Sequence, residues 1–283
     1  MEQPIIAKRE VTRHILNSFG LKAKKKLGQN FLVDEQIVSK IAAAAQITAG
    51  DLVLEIGPGI GTLTQALATT GAEVVAVELD SHLLPVLEKT LAGYDNVRII
   101  NEDILKVNII QELGGRDFVV AANLPYYITT PIIFALLEQK LPLRRLVVMV
   151  QKEVAERMTA QPGGKDYGAL SVAIQYYTQP HFAFKVSPGC FVPPPSVESA
   201  VVVCERRTEP PVQVEEKTFF QVVKAAFSLR RKMLNNALKN MGLNSEQVKN
   251  WLERAQIDGK RRGETLSLEE FARLANTYEK DSQ

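Results

Sequence analysis

Apolar and polar positions along this chain change period several times, and each change marks a different kind of element. Residues 5–18 repeat apolar side chains at helical spacing and predict a short amphipathic helix, followed by a basic turn from Gly20 to Gln29. Asp34 then stands as the N-cap of a helix running to about Gln46. From Asp51 short apolar runs take over: 51–56, 72–78, 96–101, 117–122 and 145–150 read as strands. Helical segments separate them near 62–69, 81–91 and 131–138. Strands alternating with helices predict an α/β domain with a mainly parallel sheet.

The pattern is less regular from 170 to 205. A helix near 170–178 precedes strands near 181–186 and 198–204, with Phe191-Val-Pro-Pro-Pro195 between them as an extended, stiff connector. After the break at Glu209-Pro-Pro211 the periodicity is helical to the end, near 215–228, 230–241, 245–255 and 267–278. This places a domain boundary at 207–213, dividing residues 1–208 from a small all-helical domain at 209–283.

Composition narrows the class only slightly. With 46% apolar and 23% charged residues, the 283-residue chain is that of an ordinary globular protein. The net charge of +2 does not announce a nucleic-acid partner; its distribution says more. Lys8 to Lys26 holds seven Lys or Arg and one Glu, and Lys217 to Ser245 holds six and no acid, which predicts a polarised surface. Cys190 and Cys204 form no zinc pattern and fit free thiols in a reducing compartment. His14, His82 and His181 are scattered and read as structural or surface residues. No apolar run approaches the roughly 18 residues of a membrane span, and no secretory leader is evident.

The chemistry concentrates at strand ends. Glu55-Ile-Gly57-Pro-Gly59-Ile-Gly61 follows one strand and precedes a helix, so the backbone can pass close beneath a ligand. The third glycine comes one position earlier than in the dinucleotide fingerprint, and Thr62 fills its place, which disfavours a nicotinamide site. Glu78 ends the next strand at the spacing where a carboxylate meets ribose hydroxyls, while Asp80 reads as a helix cap. In Asn101-Glu-Asp103 the last acid can accept from an adenine amine or simply form a turn.

The sharpest motif is Asn123-Leu-Pro-Tyr126. An adenine amine is a poor nucleophile because its lone pair is delocalised into the ring. Two acceptors on its N–H bonds, Asn123 Oδ1 and the Leu124 carbonyl, would favour a pyramidal nitrogen whose freed pair faces a methyl donor. Pro125 biases Leu124 toward an extended backbone, and Tyr126 can stack on the base.

These motifs together resemble the bacterial small-subunit (16S) rRNA adenine N6,N6-dimethyltransferases, cousins of the macrolide-resistance rRNA methylases. The resemblance runs from about Leu21 to Ala275. It includes Leu27-Gly-Gln-Asn-Phe-Leu32, Glu55-Ile-Gly-Pro-Gly59, Asn123-Leu-Pro-Tyr-Tyr127, Phe191-Val-Pro-Pro-Pro-Ser-Val-Glu-Ser-Ala200 and Phe227-Ser-Leu-Arg-Arg-Lys232. It implies a Rossmann-like class I S-adenosylmethionine-dependent methyltransferase fold for 1–208, and RNA or ribosome contact by 209–283.

The resemblance further implies that Asn30 and Leu32 close over S-adenosylmethionine together with Gly57, Gly59, Glu78, Asp103 and Asn123. It implies that Phe191 sandwiches the target base with Tyr126. By composition alone, Gln29-Asn-Phe31 reads as a loop, and Phe191 equally as a core aromatic. The implied substrate is two adjacent adenosines, each methylated twice, in a hairpin near the 3′ end of 16S rRNA within the small ribosomal subunit or its precursor. Lys22, Lys24, Lys25 and Lys26, with Arg230, Arg231 and Lys232, are the candidate phosphate contacts.

Because the donor's sulfonium is already activated, the reaction calls for no metal. A cytoplasmic monomer acting in ribosome biogenesis, with no membrane partner, is expected. The competing readings are a nicotinamide-dependent oxidoreductase, a non-catalytic assembly factor and a large-subunit rRNA methylase.

Overall fold

The computed structural model describes residues 4–21, 29–229 and 232–278. The chain divides into two compact units, residues 1–155 with 180–206, and residues 156–179 with 207–283.

The first unit opens with α1 (Arg9–Ser18) and a two-residue strand, β1 (Phe31–Leu32), before α2 (Glu35–Ala45). Alternation then begins: β2 (Leu52–Ile56), α3 (Thr62–Ala68), β3 (Glu73–Glu78), α4 (Leu84–Thr90), β4 (Val97–Asn101), α5 (Ile109–Glu112), β5 (Phe118–Asn123), α6 (Thr129–Glu138) and β6 (Leu143–Gln151). Helix α7 (Lys152–Thr159) runs across the unit boundary, and α8 (Ala169–Tyr177) belongs to the second unit. Strands β7 (Thr178–Val186), β8 (Phe191–Val192) and β9 (Ser199–Arg206) follow. The second unit continues with α9 (Glu216–Phe227), α10 (Leu234–Ala237), α11 (Ser245–Arg254) and α12 (Leu268–Asn276).

Among the described residues the main sheet has the order β4-β3-β2-β5-β6-β9-β7. Neighbours from β4 through β6 pair in parallel, and β9 runs antiparallel to β6. Every residue of β2 is buried, as expected of a parallel strand covered on both faces. Val53, Val74, Val119, Val147, Met149 and Val201 share one core cluster with Val38, Ile41 and Ala45 of α2 and with Leu63 and Leu67 of α3. Asp34 caps α2 as the sequence predicts, its side chain accepting from the Ile37 N–H at 3.1 Å. The direction of connection reverses between β2 and β5, so the carboxyl ends of β2, β3, β4 and β5 frame a crevice at a topological switch point. No helix among the described residues is long and apolar enough to cross a membrane.

The second unit is helical, but it takes more of the chain than the 209–283 stretch: residues 156–179 pack with it as well. Aromatic side chains supply the reason. Tyr176 of α8 stacks on Phe219 of α9 at 4.9 Å between ring centroids, and Tyr177 stacks on Phe220 at 5.5 Å. Tyr177 also donates to Glu216 at 2.7 Å. Elsewhere the Trp251 indole donates to the Leu274 carbonyl at 2.9 Å, tying α11 to α12.

The expected helix at 230–241 is shorter in the structure, as α10 and a 3₁₀ turn over Leu238–Met241. The N–H groups of Leu234 and Asn235 are taken by the carbonyls of Arg261 and Gly259, which stops the helix from extending backward.

Candidate active site

The carboxyl ends of four parallel strands and the segment entering β1 enclose a cleft of about 1050 Å³, measured out to its open mouth. Asn30, Leu32, Gly57, Gly59, Glu78, Asp103, Asn123, Leu124 and Tyr126 all line it. Nine residues singled out from separate stretches of sequence thus meet in one place, seven of them at or just beyond the carboxyl ends of parallel strands, and Asn30 and Leu32 by way of β1.

The floor is the glycine turn after β2. Gly59 has φ of +63°, and a Cβ there would meet the Phe31 ring at 3.5 Å. A side chain would be strained and would fill the space between the turn and the β1 segment. Glu78, at the end of β3, is nearly buried; its Oε2 accepts from the Gly59 N–H at 3.2 Å and its Oε1 from the Asp80 N–H at 2.8 Å. Burial holds the Glu78 pKa above the usual carboxylate range, against the pull of those two N–H groups. Asp80 caps the next turn through the His82 N–H at 3.2 Å, as expected, and its other oxygen receives Gln29 Nε2 at 3.0 Å. Asp103 both lines the cleft and forms a turn, with Oδ1 accepting from the Leu105 N–H at 3.0 Å. The turn it forms leaves it on the cleft wall.

Glu55 is a cleft residue that motif reasoning passes over. It is 1% exposed, and its Oε2 has no hydrogen-bond partner. Burial pushes its pKa up to about 8; the Thr64 hydroxyl opposes the rise and the Glu78 charge adds to it. A signal for it exists in the sequence: an acid in the middle of an otherwise apolar strand, Leu52-Val-Leu-Glu-Ile56, buried along its whole length.

At the end of β5, Asn123 Nδ2 donates to the Asn30 carbonyl at 3.5 Å. With its nitrogen so used, Asn123 has Oδ1 left to accept from a ligand in the cleft it lines. The next residue, Leu124, gives its N–H to Met149, while its carbonyl accepts from no group among the described residues. The Pro125 carbonyl, in contrast, is taken by the Ile128 N–H at 3.2 Å and the Thr129 hydroxyl at 3.0 Å. The two acceptors anticipated for an amine are the two left open. Tyr126 is half-buried, and its hydroxyl lies 2.6 Å from Ser199 Oγ.

Phe191 is placed elsewhere. It is fully buried and lies in the core cluster with Leu32, Val38 and Val186, off the cleft wall. The cause is the pairing of β1 with β8, which sets Leu32 opposite Phe191 and turns the ring inward. Of its two readings, core aromatic is the one the geometry displays. Lys22, Lys24, Lys25, Lys26, Arg230 and Arg231 lie outside the described residues, and Lys232 is an exposed residue of the second unit. His14, His82 and His181 are all exposed.

The profile of the family described as ribosomal RNA adenine dimethylase matches residues 20–280. The chain belongs to this family. Among its relatives, the ribosomal RNA small subunit methyltransferase A of Geobacillus sp. (strain WCH70) is 50% identical over 278 residues, covering 95% of this chain and 96% of the relative. The protein of the same description from Bacillus cytotoxicus is 51% identical, with 94% of each chain covered. Among solved structures, a dimethyladenosine transferase from Plasmodium falciparum superposes with a TM-score of 0.71 at 28% identity, covering 86% of this chain and 95% of that one. The 23S rRNA methyltransferase ErmE gives 0.68 at 28% identity, covering 88% and 99%. The fold is thus the Rossmann-like class I methyltransferase fold, and adenine dimethylases of this family use S-adenosylmethionine as methyl donor. The cleft fits that donor on two counts: the orphaned Glu55 oxygen suits its ammonium group, and the Gly59 turn leaves the room a Cβ would fill.

Proposed function

We propose that this adenine dimethylase transfers methyl groups from S-adenosylmethionine to N6 of two adjacent adenosines in the 3′-terminal hairpin of 16S rRNA. It acts on the small ribosomal subunit or its precursor, as a cytoplasmic monomer in subunit biogenesis. The observation that carries the reading is the pair of open acceptors after β5, Asn123 Oδ1 and the Leu124 carbonyl, at the cleft that Gly57, Gly59 and Glu78 also line.

When bound, the donor supplies a methyl group already activated by its sulfonium. Asn30, Leu32, Gly57, Gly59, Glu78, Asp103 and Asn123 hold it, with Glu55 at its ammonium end. The two acceptors orient the target amine and stabilise the positive charge that develops on N6 as it is methylated. The surplus proton then leaves to water. A secondary amine still keeps one N–H, so one of the two acceptors holds it for the second transfer. The Tyr126 ring receives the base, which must be extruded from its stack to reach the cleft. Lys22, Lys24, Lys25, Lys26, Arg230, Arg231 and Lys232 anchor the RNA backbone.

A large-subunit target is the nearest alternative. Relatives at about half identity carry the small-subunit description, whereas ErmE stands at 28%. Incubation with labelled donor and unmethylated small subunits, followed by mapping of modified bases, tests the assignment. Two adjacent dimethylated adenines near the 3′ end are expected. No label in the small subunits, with label entering large subunits supplied in a parallel incubation, overturns it.

A further inference from the structure

We propose that Ser199 is a positioning residue for methyl transfer, fixing the place of the Tyr126 ring that receives the target base; this rests on the adenine-transfer reading above. Tyr126 stands on the loop beyond β5, and its ring can turn about two single bonds. Its hydroxyl lies on the axis of the second rotation and swings with the first; it lies 2.6 Å from Ser199 Oγ, so holding it fixes where the ring stands.

The partner is rigidly placed. Ser199 is fully buried at the first position of β9 and pairs with Gln151 across the β6–β9 ladder. Immediately before it, the Glu198 carbonyl takes the Lys152 N–H at 3.0 Å, so the strand is held on both sides of the anchor. The near end of the Tyr126 loop is held too, through the Pro125 carbonyl and the Thr129 hydroxyl at 3.0 Å. With the loop and the hydroxyl both tethered, the ring keeps its place at the cleft.

This arrangement also says what Tyr126 does not do. Its hydroxyl is engaged by Ser199, so the phenol is not a free acid or base for the reacting amine. Burial pushes the phenol pKa up, which keeps the proton on the oxygen and the bond intact. What Tyr126 offers the substrate is its ring face, and a buried serine 73 positions downstream holds the ring at the place where the base is received.

Single-turnover and steady-state transfer to unmethylated small subunits test the idea in the full-length protein. Ser199→Ala lowers kcat by roughly three- to tenfold, the range a lost neutral hydrogen bond supplies, with KM for the RNA particle and affinity for S-adenosylhomocysteine within about twofold. Tyr126→Phe removes the same bond from the other side and lowers kcat by a similar factor. The double variant loses no more than either single one. Losses that multiply, or a Tyr126→Phe protein with unaltered kcat, overturn the proposal; the second result decides even if Ser199→Ala does not fold. Wild-type protein that methylates no small-subunit RNA removes the adenine-transfer reading and this inference with it. Normal wild-type transfer with uncoupled variants removes this inference alone.

Discussion

Glu78 Oε2 accepts a hydrogen bond from the Gly59 N–H at 3.2 Å, joining the acidic end of β3 to the glycine turn of β2. One carboxylate therefore shapes the cleft floor, and the proposed function has it accept from the donor's ribose diol as well. Glu78→Ala removes both functions and weakens S-adenosylhomocysteine binding by about 10- to 100-fold, the range of a lost hydrogen bond to a charged group. Glu78→Gln keeps one acceptor and loses less. Calorimetric titration with S-adenosylhomocysteine measures both; equal affinity in all three proteins rules out contact between Glu78 and the donor.

Asn123 has its nitrogen occupied by the Asn30 carbonyl and its oxygen available. Asn123→Ala deletes an acceptor needed chiefly as charge builds on the amine. Transfer falls by about 100- to 1000-fold, as for loss of a preorganised transition-state interaction. Donor affinity changes far less. Rapid-quench assays with unmethylated subunits separate the two quantities. Transfer at the normal rate would refute the two-acceptor mechanism.

The sequence is most legible where function depends on neighbours along the chain. The Gly57–Gly59 turn, Glu78 and the Asn123–Tyr126 loop each sit at a strand end, and parallel pairing of β2 through β5 brings such ends together whatever their separation. What stays hidden depends on pairings across long separations. Leu32 meets Phe191 only because β1 pairs with β8, and Tyr126 meets Ser199 only because β9 inserts beside β6. Residues 156–179 join the helical unit through aromatic pairs with α9 that no local period announces.

Phe191, fully buried among aliphatic side chains, gives a prediction that separates its two roles. Phe191→Ala leaves a cavity and destabilises the protein by about 3–5 kcal/mol. Phe191→Leu conserves much of the volume and costs far less. Denaturant unfolding monitored by circular dichroism reads the difference. An alanine variant of unchanged stability but impaired methylation would return Phe191 to the role of base partner.

The proposed role of the basic residues is to neutralise phosphate charge. Replacing Lys22, Lys24, Lys25 and Lys26 together with alanine weakens binding to the RNA hairpin. It also lowers the slope of log K against log salt by about one for each phosphate that is no longer neutralised. Donor affinity is unaffected. Filter binding across a salt series supplies the slope, and an unaltered slope removes these lysines from the interface.

Glu55 makes the free protein sensitive to pH. Its folded-state pKa of about 8 lies above the ordinary glutamate value of 4.5, so the folded chain binds the proton more tightly than the unfolded chain. Its contribution to stability is complete below the unfolded pKa and is lost as the pH rises through the folded one. Glu55→Gln removes that dependence, and its unfolding midpoint falls less than that of the wild type between about pH 5 and pH 8. Donor binding reverses the balance. An ammonium group beside the orphaned Oε2 favours the carboxylate, so binding near neutral pH releases a proton and affinity rises with pH. Calorimetry of S-adenosylhomocysteine binding in buffers of different ionisation enthalpy measures the release directly. Wild-type protein should release a substantial fraction of one proton and Glu55→Gln should release less; equal release by the two proteins would show that Glu55 does not face the donor's ammonium.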